Sequence, residues 1–196
     1  TLVLATAARL VPWKGVAMLI ELVKRLHEAG YPATLLIIGD GPERASLEAA
    51  VATHHLTDHV RFFGALPRTE TMATLRAADM FVLNTAYEGL SHFLLEVMQL
   101  TVPIITTPVG GNPELITDQH DGRLVPVNDL ESWERAVRAL ASSPEQGTTF
   151  TTNAVSRVTD FSLPTMLTRL DQVLQRVIAN QTPRGEQTAG RAEKQV

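Results

Sequence analysis

Short runs of apolar residues alternate along the chain with longer segments in which apolar residues recur at helical spacing. The runs have the length of β-strands, and the segments between them are long enough for helices that cross from one strand to the next. Strands that alternate with helices form parallel sheets. The predicted strands are Leu2–Ala8, Leu35–Ile38, Val60–Phe63, Met80–Leu83, Pro103–Thr106 and Arg123–Val125.

The segment Val16–Ala29 shows the helical pattern most clearly, because its apolar residues fall on one face and its charged residues on the other. Such a helix packs its apolar face on the sheet. Further helices are predicted near Glu43–Thr53, Glu70–Ala77, Phe93–Leu100, Leu130–Ala141 and Pro164–Ile178. The pattern as a whole predicts an α/β domain over residues 1–179 with a doubly wound, Rossmann-like parallel sheet.

The two ends of the chain carry separate expectations. From Asn180 to Val196 the sequence turns polar, and its few apolar residues cannot offset the entropy cost of ordering, so a disordered tail is predicted. At the other end, Leu2–Ala8 is short and is followed by Arg9, which favours a strand over a signal peptide. Because the chain starts on this strand without a methionine, we expect it to be part of a longer polypeptide.

Composition excludes several classes of partner. The chain has 17 Lys and Arg against 21 Asp and Glu, a formal net charge of −4, and no basic patch, so binding to nucleic acid or to an anionic membrane is not expected. No apolar run reaches the ~18 residues that a membrane span requires. The absence of cysteine excludes disulfides and thiolate metal sites and suits a reducing compartment, so a cytoplasmic location is expected.

Ligands of open parallel sheets bind beyond the carboxyl ends of the strands, so the loops there are the candidate site. The loop Arg9–Gly15 brings Arg9 and Lys14 to the start of a helix, which suits a diphosphate, although both could also be solvated loop charges. Gly39–Pro42 and Pro108–Glu114 are glycine-rich turns whose backbone can approach a ligand closely. Neither matches the dinucleotide fingerprint or the phosphate loop of NTPases.

The stretch Tyr87–Glu96 is the most informative, because it leads from a strand into a helix with an acid at each end. Glu88 is predicted in the loop and Glu96 about one turn into the helix, with the backbone amides of Ser91 to Phe93 between them at the positive helix end. A sugar, a diphosphate and a ribose follow one another in the same order in a nucleotide sugar. The structural alternative is that Glu88 only favours the helix start and Glu96 is a solvated helix residue.

Six segments resemble the C-terminal domain of the group-one retaining GT-B glycosyltransferases, in order and in rough spacing: ARLVPWKG, GDGP, VRFFG, TAYEGLSHFLLEVM, VPIITTPVGGNPELI and DGRLVPVND. The resemblance extends from about Leu2 to Ile178. It implies a single GT-B half-domain that binds a UDP- or GDP-sugar for a hexosyltransferase. The acceptor would be held by a missing N-terminal domain, which would also make any peripheral membrane contact, and the chain alone would be inactive.

The resemblance also implies roles for individual residues. The match to RLxxxKG assigns Arg9 and Lys14 to the donor diphosphate. The match to Glu-x7-Glu places Glu88 beside the transferred sugar, as a catalytic group together with Arg9 and Lys14, and Glu96 on the ribose hydroxyls. Further substrate-binding residues implied are Gly89, Leu90, Ser91 and His92, whose loop meets the phosphates through its amides, and Gly64 and Leu66, whose loop lies by the base.

No metal or cofactor is expected beyond the donor substrate. The sequence contains no Asp-x-Asp, so donor binding is predicted to be independent of metal ions. His54, His55 and His59 lack acidic or cysteine partners at useful spacing and are predicted to be solvated residues at a helix end.

Two departures from the family pattern and two rival functions complete the prediction. Ser91–Phe93 replaces the common Gly-Leu-Pro and alters the pocket, whereas Gln99–Pro103 replaces a small residue and Gly and affects packing. A stand-alone nucleotide-sugar binding module or partner subunit would carry the same motifs. A doubly wound signalling or scaffold domain would bind no nucleotide. Such a domain gives a less economical explanation of the two acids that flank a helix start.

Overall fold

The computed structural model describes residues 1–180, which divide into two compact units, Thr1–Val158 and a second one that starts at Thr159. The first unit is built on one parallel sheet. Its strands are β1 (Leu2–Ala7), β2 (Ala33–Ile38), β3 (Val60–Gly64), β4 (Met80–Leu83), β5 (Ile104–Thr106) and β6 (Arg123–Leu124).

Helices connect these strands and continue after them. In the first unit they are α1 (Val16–Glu28), α2 (Arg44–Thr53), α3 (Arg68–Arg76), α4 (His92–Met98), α5 (Asn112–Leu115), α6 (Leu130–Ala141) and α7 (Pro144–Val158). A 3-10 turn, Pro12–Lys14, stands between β1 and α1. The second unit consists, within the described residues, of a 3-10 turn at Thr159–Phe161 and α8 (Leu163–Asn180).

The strands lie in the order β3-β2-β1-β4-β5-β6, and all neighbours pair in parallel. β1 pairs with β2 from Leu2 opposite Ala33 to Ala7 opposite Ile38, and with β4 through Leu4 opposite Met80. The chain therefore builds the sheet outwards from β1 in one direction, returns, and continues from β4 in the other. This is the doubly wound, Rossmann-like fold that the sequence predicts, and ligands of such folds bind where the strand order reverses.

The core explains why the strand sequences are almost continuously apolar. Strands of a parallel sheet are covered by helices on both faces, and β4 is accordingly buried at all four positions. Helix α1 buries one complete face against the sheet through Val16, Leu19, Ile20, Leu22, Val23 and Leu26. Each fully buried aliphatic side chain of this kind stabilises the fold by about 1.5–3 kcal/mol.

Helices α1 and α6 are also joined by charge. The Glu134 carboxylate accepts hydrogen bonds from Nε of Arg25 at 2.5 Å and from a guanidinium nitrogen of Arg138 at 2.9 Å. The hydrogen bond from Arg138 lowers the pKa of Glu134 most, and the hydrogen bond from Arg25 lowers it further, whereas burial acts in the opposite direction.

Helix α7 is an element that the sequence pattern misses. Its sequence, PEQGTTFTTNAVSRV, contains four threonines, a glycine and an asparagine, all of which are poor helix formers. Packing outweighs these preferences, since Phe150 and Ala154 are buried and a Cβ on Gly147 would lie 3.3 Å from the Pro103 ring. The hydroxyls of Thr148 and Thr149 donate to carbonyls one turn earlier in the helix.

Helix α8 carries an exposed apolar stripe at three- and four-residue spacing: Leu163, Met166, Leu167, Leu170, Val173, Leu174, Val177 and Ile178. The helix extends the predicted Pro164–Ile178 by one residue at its start and by two at its end. It thereby reaches Asn180, the first residue of the predicted tail, and residues 181–196 of that tail lie outside the described residues. Within the described part of the chain we find no helix whose length and apolarity would let it cross a bilayer.

Candidate functional site

A cavity of about 360 Å³ lies at the carboxyl ends of β1 and β4, where the strand order reverses. The loops after β1, β2, β3 and β4 all contribute to its walls. Of the residues predicted to form the site, five line this cavity: Arg9, Lys14, Leu66, Glu88 and Ser91. The topology thus brings together residues that are separated by up to 82 positions in the sequence, from Arg9 to Ser91.

An ion pair spans the cavity wall between two of these residues. Nζ of Lys14 donates to Oε2 of Glu88 at 2.6 Å, and their side chains are 17% and 18% exposed. Opposite charges in a partly desolvated cleft interact more strongly than they do in water. The two groups are therefore held facing each other, one from the 3-10 turn after β1 and one from the loop after β4.

Arg9 supplies a second cation to the same cavity. It is the second residue after β1, and its exposed side chain forms no hydrogen bond or ion pair with any residue among 1–180, whereas its backbone carbonyl accepts from the Val11 N–H at 3.0 Å. A guanidinium without a protein partner retains all its N–H donors for an anionic ligand.

The position of Lys14 is fixed by the end of β4. The backbone N–H of Ala86 donates to the Trp13 carbonyl at 2.7 Å, and Nδ2 of Asn84 donates to the Gly15 carbonyl at 3.2 Å. Gly15 has a positive φ of 57°, and a Cβ on it would lie 2.3 Å from Nδ2 of Asn84. Only glycine fits this contact, which explains why it follows Lys14.

Asn84 is a buried residue that sequence reasoning missed. Its Nδ2 also donates to Oδ1 of Asn128 at 2.7 Å, and its Oδ1 accepts from the Asn128 backbone N–H at 3.0 Å. Thr85 was missed as well, and its Oγ1 donates to the Tyr87 carbonyl at 2.8 Å, which shapes the loop before Glu88. The available signal was two polar residues directly after a wholly apolar strand.

The glycine turn after β5 supports the loop that carries Glu88. Gly110 has a φ of 54°, and a Cβ on it would lie only 1.7 Å from the Glu88 carbonyl oxygen. The N–H of Gly111 donates to the Gly89 carbonyl at 3.1 Å. This turn therefore packs against the backbone of the loop that carries Glu88 and does not line the cavity, whereas Gly39, in the turn after β2, does.

Helix α4 presents its N-terminus to the cavity. Ser91 is the N-cap, and its Oγ accepts a hydrogen bond from the Leu94 N–H at 3.3 Å. Capping engages the Ser91 hydroxyl and the Leu94 N–H, which leaves the backbone N–H groups of His92 and Phe93 at the helix start to offer a ligand. His92, the first residue of α4, is exposed, as are Gly89 and Leu90 before it, and none of these three lines the cavity.

The two remaining predicted residues lie outside the cavity lining. Glu96 is the fifth residue of α4, and its Oε2 accepts from Nε of Arg68 at 3.1 Å. Gly64 ends β3, and its carbonyl accepts from the Gly39 N–H at 2.7 Å, which ties the loops after β2 and β3 together two residues before Leu66.

Of the three histidines near the end of α2 that were predicted to be solvated, His55 is exposed, whereas His54 and His59 are half-buried and have protein partners. Nε2 of His54 lies 3.2 Å from a carboxylate oxygen of Glu21, and the His59 ring lies 4.1 Å from the ring of His27. No group of three or more His, Asp or Glu residues within positions 1–180 is arranged to hold a metal ion.

Fold and site together define a doubly wound α/β domain with cations and a helix N-terminus at its switch point. Residues 1–157 match the family model for glycosyl transferases group 1. The chain belongs to this family, and its fold is that of a GT-B C-terminal domain, as the sequence motifs predict.

Two curated relatives show the range of the family. The chain is 31% identical over 142 residues to 2-deoxystreptamine glucosyltransferase of Streptomyces kanamyceticus. This alignment covers 72% of this chain and 37% of that protein. It is 30% identical over 151 residues to the GDP-mannose-dependent alpha-(1-6)-phosphatidylinositol monomannoside mannosyltransferase of Mycolicibacterium smegmatis, which covers 74% and 40%. The aligned region thus spans well under half the length of these relatives.

Solved structures show the same fold at lower identity. Anabaena HepE, in complex with UDP, superposes with a TM-score of 0.79 at 21% identity, over 90% of this chain and 49% of that one. The C-terminal domain of the group 1 glycosyl transferase LpcC from Francisella tularensis superposes with a TM-score of 0.72 at 24% identity, over 81% of this chain and 84% of that one.

Proposed function

We propose that this domain binds the nucleotide-sugar donor of a retaining glycosyltransferase, without a metal ion, and that transfer requires an acceptor-binding N-terminal domain. The observation that carries the proposal is the Lys14–Glu88 ion pair at the β1/β4 switch point, beside Arg9, whose side chain has no partner in the described part of the chain. Such an arrangement offers positive charge to a diphosphate and an acid to the sugar next to it. We place the activity in the cytoplasm, which suits a chain without cysteine.

The diphosphate is assigned to Arg9, Lys14 and the start of α4. Negative charge develops on the leaving nucleoside diphosphate, and preorganised cations and helix N–H groups stabilise it. An ammonium group has three donors, so Lys14 can bind a phosphate oxygen while it still donates to Glu88. Ser91 and His92 contribute their backbone N–H groups, with Gly89 and Leu90 in the adjoining loop.

The two ends of the donor are assigned to opposite sides of this anion site. Glu88, which lines the cavity, faces the transferred sugar, and Glu96, farther along α4, accepts hydrogen bonds from the ribose hydroxyls. The loop from Gly64 to Leu66 lies by the base. A GDP-mannose-dependent relative and a structural neighbour in complex with UDP make guanine and uracil the two bases to compare.

Titration calorimetry with UDP, GDP and the two nucleosides tests donor binding. At least one nucleoside diphosphate should bind more tightly than its nucleoside, because only the diphosphate meets Arg9 and Lys14. The affinity should be unchanged in excess EDTA. Equal affinity for nucleoside and diphosphate would remove the anion site, and binding that EDTA abolishes and magnesium restores would overturn the metal-free site.

A non-catalytic binding module would pass that test, so turnover must be measured separately. The full-length protein should transfer a sugar from the nucleotide sugar that binds best, with retention at the anomeric carbon. A full-length protein that binds the donor and transfers to neither acceptor nor water would support the binding module instead.

A further inference from the structure

The acid assigned to the ribose has a protein partner. Oε2 of Glu96 accepts a hydrogen bond from Nε of Arg68 at 3.1 Å, across 28 positions of sequence. The carboxylate is 33% exposed and the guanidinium side chain 75% exposed. The contact is therefore a surface ion pair, and its two members come from different helices.

The pair connects the two walls of the cavity at its rim. Arg68 is the first residue of α3 and follows the loop that contains Leu66, while Thr71, one turn later, lines the cavity. Glu96 stands on α4, whose N-cap Ser91 lines the cavity from the other side. Neither Arg68 nor Glu96 belongs to the lining, so the pair lies beside the anion site and not within it.

We propose that Arg68 is a positioning residue that holds the Glu96 carboxylate in the orientation that the ribose hydroxyls require. This inference rests on the proposed function. A half-buried glutamate side chain such as that of Glu96 can still adopt several rotamers, and a ligand that needs one of them must bear the entropy cost of selecting it. A hydrogen bond from Nε to Oε2 restricts those rotamers before the ligand arrives.

The geometry leaves the rest of the carboxylate available. Within the described residues, Arg68 is the side-chain donor to Oε2, and Oε1 of Glu96 has no hydrogen bond. A carboxylate has about four lone-pair sites, so a vicinal diol can still bind both oxygens. The rigid guanidinium is well suited to this role, because less freedom is lost when it forms a hydrogen bond than when an ammonium does.

The main comparison uses two ligands and four proteins, and a double-mutant cycle with Glu96→Ala completes it. The ligands are the nucleoside diphosphate that binds best and its 2′,3′-dideoxy analogue, which lacks the hydroxyls assigned to Glu96. The proteins are the 196-residue chain and its Arg68→Ala, Arg68→Lys and Arg76→Ala variants. Arg76 is the matched control, since it is an exposed arginine at the other end of the same helix α3. Thermal unfolding checks that each variant keeps its fold.

Arg68→Ala should weaken binding of the diphosphate about 2- to 5-fold, the range of an exposed ion pair, and leave the dideoxy analogue unchanged. Arg68→Lys should recover part of the loss, and Arg76→Ala should bind both ligands like the parent chain. In a Glu96→Ala background, Arg68→Ala should have no further effect, because the group it positions is gone.

The outcomes separate this proposal from the function on which it rests. Equal losses for both ligands would make Arg68 a direct contact to the base or phosphates, and no loss for either would make it a surface ion pair only. Both results overturn the positioning role and leave the donor site intact. A parent chain that binds the diphosphate no better than the nucleoside would remove the donor site and the positioning role together.

Discussion

The two edges of the sheet each carry a cavity, and the larger one is not the candidate site. At the carboxyl edge, about 360 Å³ is bordered by Arg9, Lys14 and Glu88. At the amino edge, about 470 Å³ is bordered mainly by apolar side chains and threonines, with Asp79 as the one charged side chain of its lining. Oδ2 of Asp79 accepts from the Val3 N–H at 2.7 Å and so helps to hold β1 beside the start of β4.

The direction of the strands explains the difference. All strands of a parallel sheet point the same way, so the following helices begin at the carboxyl edge and present their N–H groups there. The amino-edge cavity is lined by the C-terminus of α6, which repels anions, and by Pro144 at the start of α7, but its lining contains no cationic side chain. Volume and charge therefore favour different cavities in this fold, and the charged lining is the reason for choosing the one at the carboxyl edge as the candidate site.

The strongest way to break this comparison is to remove the acid at each edge in the full-length protein. Glu88→Gln should lower turnover by at least about 100-fold, the usual effect of losing one group that acts on the transition state. Asp79→Asn should leave turnover nearly unchanged. The measurement is the initial rate of sugar transfer at saturating donor.

Binding of the bare nucleoside diphosphate and of the full nucleotide sugar then separates the roles of Glu88 and Glu96 at the carboxyl edge. Glu88→Gln should leave affinity for the bare nucleoside diphosphate unchanged and remove the extra affinity due to the sugar. Glu96→Ala should weaken the diphosphate and the nucleotide sugar by a similar factor, since both carry the ribose. Identical effects of both substitutions on both ligands would contradict the assignment of roles.

The next largest effect concerns the cation of the carboxyl edge. Lys14→Ala should weaken binding of the nucleoside diphosphate by about 10- to 100-fold, because charge-assisted hydrogen bonds are among the strongest in proteins. Lys24→Ala is the control, since Lys24 pairs with Glu21 on the surface of α1, away from the cavity. Calorimetry of both variants gives the comparison, and a Lys14→Ala variant that binds the diphosphate as tightly as Lys24→Ala would leave Lys14 a partner of Glu88 only.

The strands were predictable as short apolar runs and most helices by their helical period, because burial on the two faces of the sheet requires both patterns. The predicted Met80–Leu83 and Leu130–Ala141 coincide with β4 and α6, and other boundaries differ by a few residues. Helix α7 was missed because threonine-rich sequence has poor helix propensity, and the packing of Phe150 and Gly147 that compensates is a tertiary effect.

The candidate site was predictable where charge and loop position identify it, and less so where buried polar contacts build it. Arg9, Lys14 and Glu88 line one cavity as their loops predict. Asn84 was not identified, because its partners Gly15 and Asn128 are distant in sequence and become neighbours only through the sheet order. The pairing of Glu96 with Arg68 likewise depends on how α3 meets α4.

Asn84→Asp tests whether the carboxyl edge is built by buried amide contacts. A carboxylate cannot donate to the Gly15 carbonyl or to Oδ1 of Asn128, so two part-buried hydrogen bonds are lost and the new carboxylate is left fully buried. We expect the free energy of unfolding to fall by about 1–3 kcal/mol, the cost of leaving buried polar groups unsatisfied. Urea unfolding measures it, with Asn153→Asp as an exposed control whose amide donates to the His120 carbonyl.

The smallest effect lies away from both edges, at the ion pairs between α1 and α6. Because Arg138 and Arg25 hold the pKa of Glu134 below its ordinary value, the folded state binds this proton less readily than the unfolded state. The resulting stability is fully present above the ordinary glutamate pKa and is lost as the pH falls through the lowered one. The arginine side chains are about 40% exposed, so water screens the pairs and the contribution should stay within about 1 kcal/mol.

Glu134→Gln should therefore be less stable than the parent chain at neutral pH, and this difference in the free energy of unfolding should disappear on acidification. Urea titrations of both proteins across the acidic range measure it, and a gap that stays constant or widens in acid would contradict the lowered pKa. Affinity for the nucleoside diphosphate at neutral pH should be the same in both, since Glu134 does not line the cavity at the carboxyl edge.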